Sequence, residues 1–299
     1  MGVAISMPER FPRVACVVLN WNGWQDTLAC LEGLSRVCYP AFTTIVIDNG
    51  STDDSPSKIS AAYPQVILIE SGGNIGFAAG NNIGIRRAIE DGFEYVWLLN
   101  NDTIPEKESL TELVRKAESD QRLGAVGSIL HYESDPDHIQ AWGGGKVSSV
   151  FGYATHAVAA KPDAWFDYLT AASLLVRTEA FQEVGLLDES FFLYWEDTEF
   201  GFRLRRYNWR LGVASGARVL HKESGSTSGA GGARARYFTT SGILFLSKVA
   251  KSPWISIPIF LLLRIGKSIV SGQWKKLGYI LQGIEHSIVR RENCSRIRL

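Results

Sequence analysis

The sequence predicts an α/β fold, a mostly parallel central sheet with flanking helices on both faces, followed by a C-terminal helical segment. Three observations carry that reading. Short apolar runs each end in polar residues: 14–19 before Asn20, 44–47 before Asp48-Asn49, 66–69 before Glu70, and 95–99 before Asn100-Asn101-Asp102. Segments with apolar residues at helical spacing separate these runs. The runs also lack polar alternation, which marks strands covered on both faces, as parallel strands are. Ligands of such sheets bind outside the carboxyl ends of the strands, so the polar clusters there are where a site is expected.

The first run leads into Trp24, Leu28, Leu31 and Leu34, one face of a helix. The second ends in Asp48-Asn49-Gly50-Ser51-Thr52-Asp53. A carboxylate and an amide placed there can read a base or a ribose. An Asn-Gly turn, with Pro56 in the first turn of the next helix, accounts for the same residues. After the third run, residues 72–84 hold five glycines and open a helix carrying Ile83, Ile85 and Ile89. A glycine-rich helix start can cradle a phosphate; close packing explains it equally. It is not the dinucleotide fingerprint, which belongs at the first strand.

The fourth run ends in Asn100-Asn101-Asp102-Thr103. An acidic residue just past a central strand is placed to hold a divalent cation against a diphosphate, and hard oxygen ligands select Mg²⁺ or Mn²⁺. The alternative is a helix cap before Pro105. A helix with Leu110, Leu113, Val114 and Ala117 on one face follows.

Beyond about residue 130 the alternation of strand and helix decays. Residues 131–167, rich in Gly and aromatics, predict loops and short strands that shape a substrate site. Regular structure returns over 169–176, with helices from near Thr178 and over 197–207. Glu196 and Asp197 sit beneath Tyr194 and Trp195. Paired, buried carboxylates suit a general base, because burial and like charge raise one pKa. Alternatively Asp197 caps a helix while Glu199 pairs with Arg203 four residues on. His221, after Val219-Leu220, matters only if the fold brings it near Asp102. Residues 224–232 (SGSTSGAGG) read as a flexible loop, and three helical segments follow near 234–250, 253–270 and 273–291.

The 299 residues are 45% hydrophobic and 11% aromatic, which excludes disorder as the main character. Lys and Arg (31) balance Asp and Glu (31), which argues against a nucleic-acid binder driven by overall basicity. The balance hides an asymmetry. Residues 251–299 hold nine Lys/Arg against two Glu, so an acidic body precedes a basic tail. Apolar residues interleaved with that charge (Trp254, Ile257, Phe260, Leu261) suit a helix lying in an anionic membrane interface. A helical cap on the body or a homodimer contact is the alternative. The apolar stretch 254–263 is short of the roughly 20 residues that span a bilayer. Four cysteines without zinc-type spacing, and no apolar leader, point to a reducing cytoplasm.

Six segments, in order, resemble inverting glycosyltransferases of family 2, and among them bacterial rhamnosyltransferases of O-antigen and cell-wall polysaccharide synthesis. They are VVLNWNG (17–23), VIDNGSTD (46–53), NIGFAAGNNIGI (74–85), LLNNDT (98–103), the stretch 169–204 with its YWEDTEFGFRL, and VLH (219–221). The resemblance implies a GT-A fold over 1–232 and a helical, basic extension over 233–299. It implies donor-nucleotide contacts at Asn20, Asp48, Asn49, Ser51, Asn74, Gly76, Gly80, Asn82, Asn100 and Asn101. Asp102 and His221 would hold Mg²⁺ or Mn²⁺, Asp197 would be the general base with Glu196 beside it, and Trp195 and Arg203 would lie on the acceptor side. The donor it favours is dTDP-L-rhamnose, with UDP- or GDP-sugars open; the acceptor is a saccharide or lipid-linked saccharide at the cytoplasmic face of the inner membrane. The metal triplet departs from the family in carrying one carboxylate instead of two. Two other classes compete: a catalytically silent nucleotide-sugar-binding scaffold, and a nicotinamide oxidoreductase, which the Asn-Trp-Asn-Gly end of the first run disfavours.

Overall fold

The computed structural model describes residues 10–222 and 231–296. Its first half runs β1 (Val14–Asn20), α1 (Trp24–Ser35), β2 (Phe42–Asp48), α2 (Ser55–Ala62), β3 (Ile67–Glu70), α3 (Phe77–Glu90) and β4 (Tyr95–Asn100). The four strands are parallel, in the order β3-β2-β1-β4. Alternate residues of β1 feed two different cores. Cys16 and Val18 pack with Leu31 and Leu34 of α1, while Ala15 and Val17 pack with Ile85 and Ala88 of α3. Burial on both faces is why the strand reads as an unbroken apolar run. Cys16 and Cys30 are buried free thiols, and burial pushes Cys30 up to about 12.

Since β2 and β4 flank β1 on opposite sides, the winding reverses there, and a crevice opens beyond the ends of β1 and β4. Leu19 pairs with Asn100 across that gap.

The second half departs from the parallel pattern. It comprises β5 (Thr103–Pro105), α4 (Ser109–Glu118), β6 (Leu123–Tyr132), β7 (Asp135–Trp142), β8 (Gly144–Ser148), β9 (Tyr153–His156), β10 (Tyr168–Leu169), β11 (Ser173–Arg177), α5 (Thr178–Val184), α6 (Glu196–Arg206) and β12 (Arg210–His221). β11 inserts antiparallel between β4 and β6, β12 runs parallel to β6, and β5 closes the edge antiparallel to β12. The sheet as a whole is therefore mixed, with its parallel character confined largely to the first half. β8, β9 and β10 form a separate small sheet. The pairing of β12 with β6 is irregular between Val213 and Arg218, then resumes through His221. On its other side β12 sets His221 opposite Thr103, one residue from Asp102.

Three helices complete the chain: α7 (Gly231–Val249), α8 (Pro253–Val270) and α9 (Trp274–Arg296). The loop expected over 224–232 falls mostly outside the described residues, and Gly231-Gly232 already belong to α7. Ile243, Phe245 and Leu246 of α7 and Phe260 of α8 bury against Phe191 and Trp195, tying these helices to the segment before α6. Helix α8 spans Pro253–Val270, the range expected, and as a whole, Arg264 and Lys267 included, it is long and apolar enough to cross a membrane by length and composition alone, which the stretch 254–263 is not. Arg264, which looked like the end of that stretch, turns inward, with its guanidinium 4.7 Å from the Phe238 ring and 5.4 Å from the Phe260 ring. Trp254, Leu262, Leu263 and Val270 are exposed on the same helix.

Candidate active site

A cavity of about 890 Å³ lies beyond the carboxyl ends of β1 and β4. Of the residues the sequence singled out, Asn49, Asn74, Gly76, Asn100, Asn101, Asp102, Trp195, Glu196, Asp197 and His221 line it. Asn20, Asp48, Ser51, Gly80, Asn82 and Arg203 do not line it.

Behind the lining is a closed hydrogen-bond network at the strand ends, which reaches the cavity through Asn101. Buried Asn20 donates through Nδ2 to Asp48 Oδ1 (2.8 Å) and to Ser51 Oγ (3.1 Å). Its Oδ1 accepts from the Thr27 hydroxyl (2.7 Å), which in turn accepts from Asn101 Nδ2 (3.1 Å). Asp48 also accepts the Ser51 backbone N–H and hydroxyl. These side chains therefore lock β1, β2, α1 and the turn after β4 together.

Next to this network, Asn49 organises the glycine-rich loop. Its Nδ2 donates to Asn74 Oδ1 and to the Gly76 carbonyl, and its Oδ1 accepts the Ile75 N–H. Gly76 adopts φ 91°, and a Cβ there would strike the Phe192 backbone. Glycine thus lets the Phe77 N–H reach the Phe192 carbonyl at 2.7 Å and brings the start of α3 to the cavity. Gly80 and Asn82 act one layer below. A Cβ on Gly80 would meet Leu19 of β1, and Asn82 bonds the Leu187 backbone and Glu189.

Asp102 and His221 meet across the cavity wall, with His221 Nε2 3.4 Å from Asp102 Oδ1. The condition set by the sequence for His221 is met. His221 Nδ1 lies 2.6 Å from Gln140 Oε1. An amide oxygen only accepts, so a proton on Nδ1 would satisfy Gln140 and leave the Nε2 lone pair available. This donor pair, a carboxylate oxygen and an imidazole nitrogen, fits a divalent cation. No group of three His, Cys, Asp or Glu ligands occurs among the described residues. A cation here would draw its remaining oxygens from a ligand and water, as Mg²⁺ does in phosphate sites.

Another part of the lining is the start of α6. Tyr194 and Trp195 both hold left-handed backbone (φ 70° and 71°), which is costly for bulky residues. Trp195 is held there by stacking on Phe245, 4.7 Å between centroids. This turn delivers Glu196 and Asp197 to the cavity. Asp197 Oδ2 accepts the Ala171 N–H (3.2 Å), and Oδ1 accepts the Thr198 N–H and hydroxyl. Burial nevertheless lifts the Asp197 pKa above the usual range, with those hydrogen bonds and His156 pulling it back. Glu196 is pushed up further, by burial and then by the neighbouring Asp197 charge. Its Oε2 has no hydrogen-bond partner among the described residues.

Arg203 is a correction to the acceptor-side expectation. Its guanidinium grips Glu199 (Nη2 to Oε2, 2.9 Å) and donates to the Val184 carbonyl (2.9 Å), away from the cavity. The i,i+4 ion pair explains it.

The Glycosyl transferase family 2 pattern matches residues 15–173, more than half of the chain, and Glycosyl transferase family group 2 matches residues 95–282. The chain belongs to glycosyltransferase family 2. Among curated relatives of this glycosyltransferase, the N-acetylglucosaminyl-diphospho-decaprenol L-rhamnosyltransferase of Mycobacterium tuberculosis is 29% identical over 226 residues, covering 66% of this chain and 72% of the relative. The low-salt glycan biosynthesis hexosyltransferase Agl10 of Haloferax volcanii is 27% identical over 217 residues, covering 70% and 67%. The mannosyltransferase PcManGT from Pyrobaculum calidifontis, solved with GDP-Man and Mn²⁺, shares the GT-A fold. It superposes with a TM-score of 0.61 at 16% identity, over 94% of this chain and 88% of that one.

Some lining residues of the transferase, His156 and Gln140 among them, carried no signal in its sequence. His156 reaches the cavity from β9, with Nδ1 3.3 Å from the Tyr168 hydroxyl. Burial lowers its pKa, against a pull upward from Asp197. Gln140, Phe192 and Tyr237 also line the cavity, the last two stacked 4.7 Å apart. The Gly- and aromatic-rich composition of 131–167 marked the region, and nothing in it marked His156 or Gln140 individually.

Proposed function

We propose that this glycosyltransferase acts with inversion, moving L-rhamnose from dTDP-L-rhamnose to a saccharide or lipid-linked saccharide acceptor. The observation that carries the reading is one cavity whose lining brings together a buried, pKa-raised Asp197 and the Asp102–His221 pair. Single displacement needs these two functions on opposite sides of the sugar. Asp197 accepts the proton of the attacking acceptor hydroxyl. Its raised pKa suits that task, since a base is most useful near the working pH. Glu196 is buried beside Asp197, its own pKa raised by burial and then by the Asp197 charge. On the donor side, Asn74 and the start of α3 offer hydrogen bonds to the diphosphate. Asn49, Asn100 and Asn101 shape the nucleotide side, and the Asn20–Asp48–Ser51 network holds them in place. A bound Mg²⁺ or Mn²⁺ at Asp102 and His221 would offset the charge that grows on the departing diphosphate. The catalytic unit is 1–232. The extension over 233–299 walls the acceptor side and can rest on the cytoplasmic face of a membrane through the exposed apolar side of α8.

The test is a panel of dTDP-, UDP- and GDP-sugars, each with Mg²⁺ or Mn²⁺ and a saccharide acceptor, with product detected by mass. Transfer of rhamnose from the dTDP donor is expected. Transfer only from another donor overturns the rhamnose assignment, and transfer from none overturns the function.

A further inference from the structure

A second cavity, of about 1090 Å³, opens between the C-terminal helices. Four cations line it: Arg234 of α7, Arg264 of α8, and Lys275 and Lys276 at the start of α9. No Asp or Glu lines it among the described residues. It is not isolated, because Arg234 and Phe238 line this cavity and the catalytic one alike. The two spaces meet at α7.

Arg264 is the telling member. Its guanidinium packs on Phe238 and Phe260 and makes one long hydrogen bond, from Nη2 to the Ala235 carbonyl at 3.4 Å. Its buried Nε has no partner among the described residues. Burial lowers its pKa only to about 10, so it stays charged at neutral pH. A desolvated cation facing a cavity without carboxylates is stabilised by an anion. Apolar side chains border the same opening. Trp274 and Tyr279 line it, and Ile269 and Val270, exposed at the end of α8, precede it directly in sequence. An anion bound here would lie beside apolar side chains and, through Arg234 and Phe238, next to the catalytic cavity.

We propose that the Arg264–Lys275–Lys276 cavity binds the diphosphate of a lipid-linked acceptor, with the saccharide directed past Arg234 and Phe238 toward Asp197. This rests on the reading of the protein as a transferase with a saccharide acceptor, and adds the linker the acceptor carries. Fork-like and ammonium donors match phosphate oxygens, and stacking on rings keeps the Arg264 fork in place. The prenyl chain leaves along the exposed face of α8.

The test uses full-length protein and farnesyl diphosphate as probe, measured by calorimetry. Wild type is expected to bind it more tightly than farnesol, and saturating dTDP is expected not to displace it. In K275Q/K276Q, whose side chains are exposed and whose fold is not at risk, affinity should fall about tenfold or more. R264Q should show the same loss, with its thermal midpoint as the check on folding. Unchanged affinity in K275Q/K276Q, displacement by dTDP, or no binding by wild type overturns the proposal. So does loss of flotation with phosphatidylglycerol vesicles while farnesyl diphosphate affinity is kept, because the lysines would then read bulk lipid headgroups. Farnesyl diphosphate bound as expected by a protein that transfers no sugar would leave this site standing and remove the transferase reading. An unchanged KM of K275Q/K276Q for a diphosphate-linked acceptor would do the reverse.

Discussion

Behind the lining of the catalytic cavity, Asn20, Thr27, Asp48, Ser51 and Asn101 satisfy one another through hydrogen bonds of 2.6–3.1 Å. In the α6 part of the lining, Tyr194 and Trp195 hold strained left-handed backbone, and Trp195 Nε1 and Glu196 Oε2 have no partner among the described residues. The same pocket thus joins a relaxed wall to a strained one. A satisfied network is rigid and pre-set, which suits holding a nucleotide whose shape does not change during reaction. Unpaired polar atoms and strained backbone persist only where packing enforces them, and here the Trp195–Phe245 stack does so. The strained wall is where a proton is proposed to move.

The sharpest way to break this contrast is D197N, which keeps the shape and removes the base. Transfer should fall by about 10²–10⁴-fold, while donor binding by calorimetry stays near wild type. Near-normal turnover would return Asp197 to a helix-capping role. Next comes the proposed cation pair: D102A and H221A should each weaken cation-dependent donor binding by roughly 10–100-fold. A titration with Mn²⁺ indistinguishable from wild type would remove either residue from the site.

A smaller effect concerns pH. Glu196 and Asp197 both have raised pKa values in the folded protein, so the folded state keeps their protons to higher pH than the unfolded chain does. Their cost to stability is absent below the ordinary carboxylate range and grows as pH rises through it toward the raised values. E196Q removes that cost, so its melting temperature should exceed wild type at about pH 8 and converge with it near pH 3. The reverse order would show Glu196 to be stabilised as an anion. The acid limb of transfer should likewise sit above the usual carboxylate range. Smallest is R203A. It should cost about 1 kcal/mol of stability and leave transfer within about twofold, because Arg203 holds Glu199 and Val184 and does not face the cavity. A large loss of transfer would restore its acceptor-side role.

The relaxed wall was also the legible one. Its residues sit at the ends of unbroken apolar runs, and local spacing alone located β1, β2, β4 and α3. The C-terminal helices were legible for the same reason, with 234–250 expected and Gly231–Val249 found. What failed to show in the sequence depends on contacts distant along the chain. β11 is five residues long, and its antiparallel place between β4 and β6 is set by partners about 50–80 positions away. Gln140 and His156 come from strands of the irregular insertion, and only tertiary placement sets them beside His221 and Asp197. Arg264 read as the end of an apolar stretch because its aromatic partner Phe238 lies on another helix.

The irregular stretch of β12 gives the chain slack upstream of His221. In a regular strand one extra residue turns every later side chain to the other face. Between Val213 and Arg218 the pairing with β6 advances only from Gly127 to Ile129, so a residue gained or lost there can be absorbed in the bulge. From Arg218 to His221 the pairing is continuous, and the same change would swing His221 away from Asp102. Drift in chain length is therefore harmless on one side of Arg218 and ruinous on the other, so the last four residues of β12 form a fixed ruler that ends at the proposed cation site.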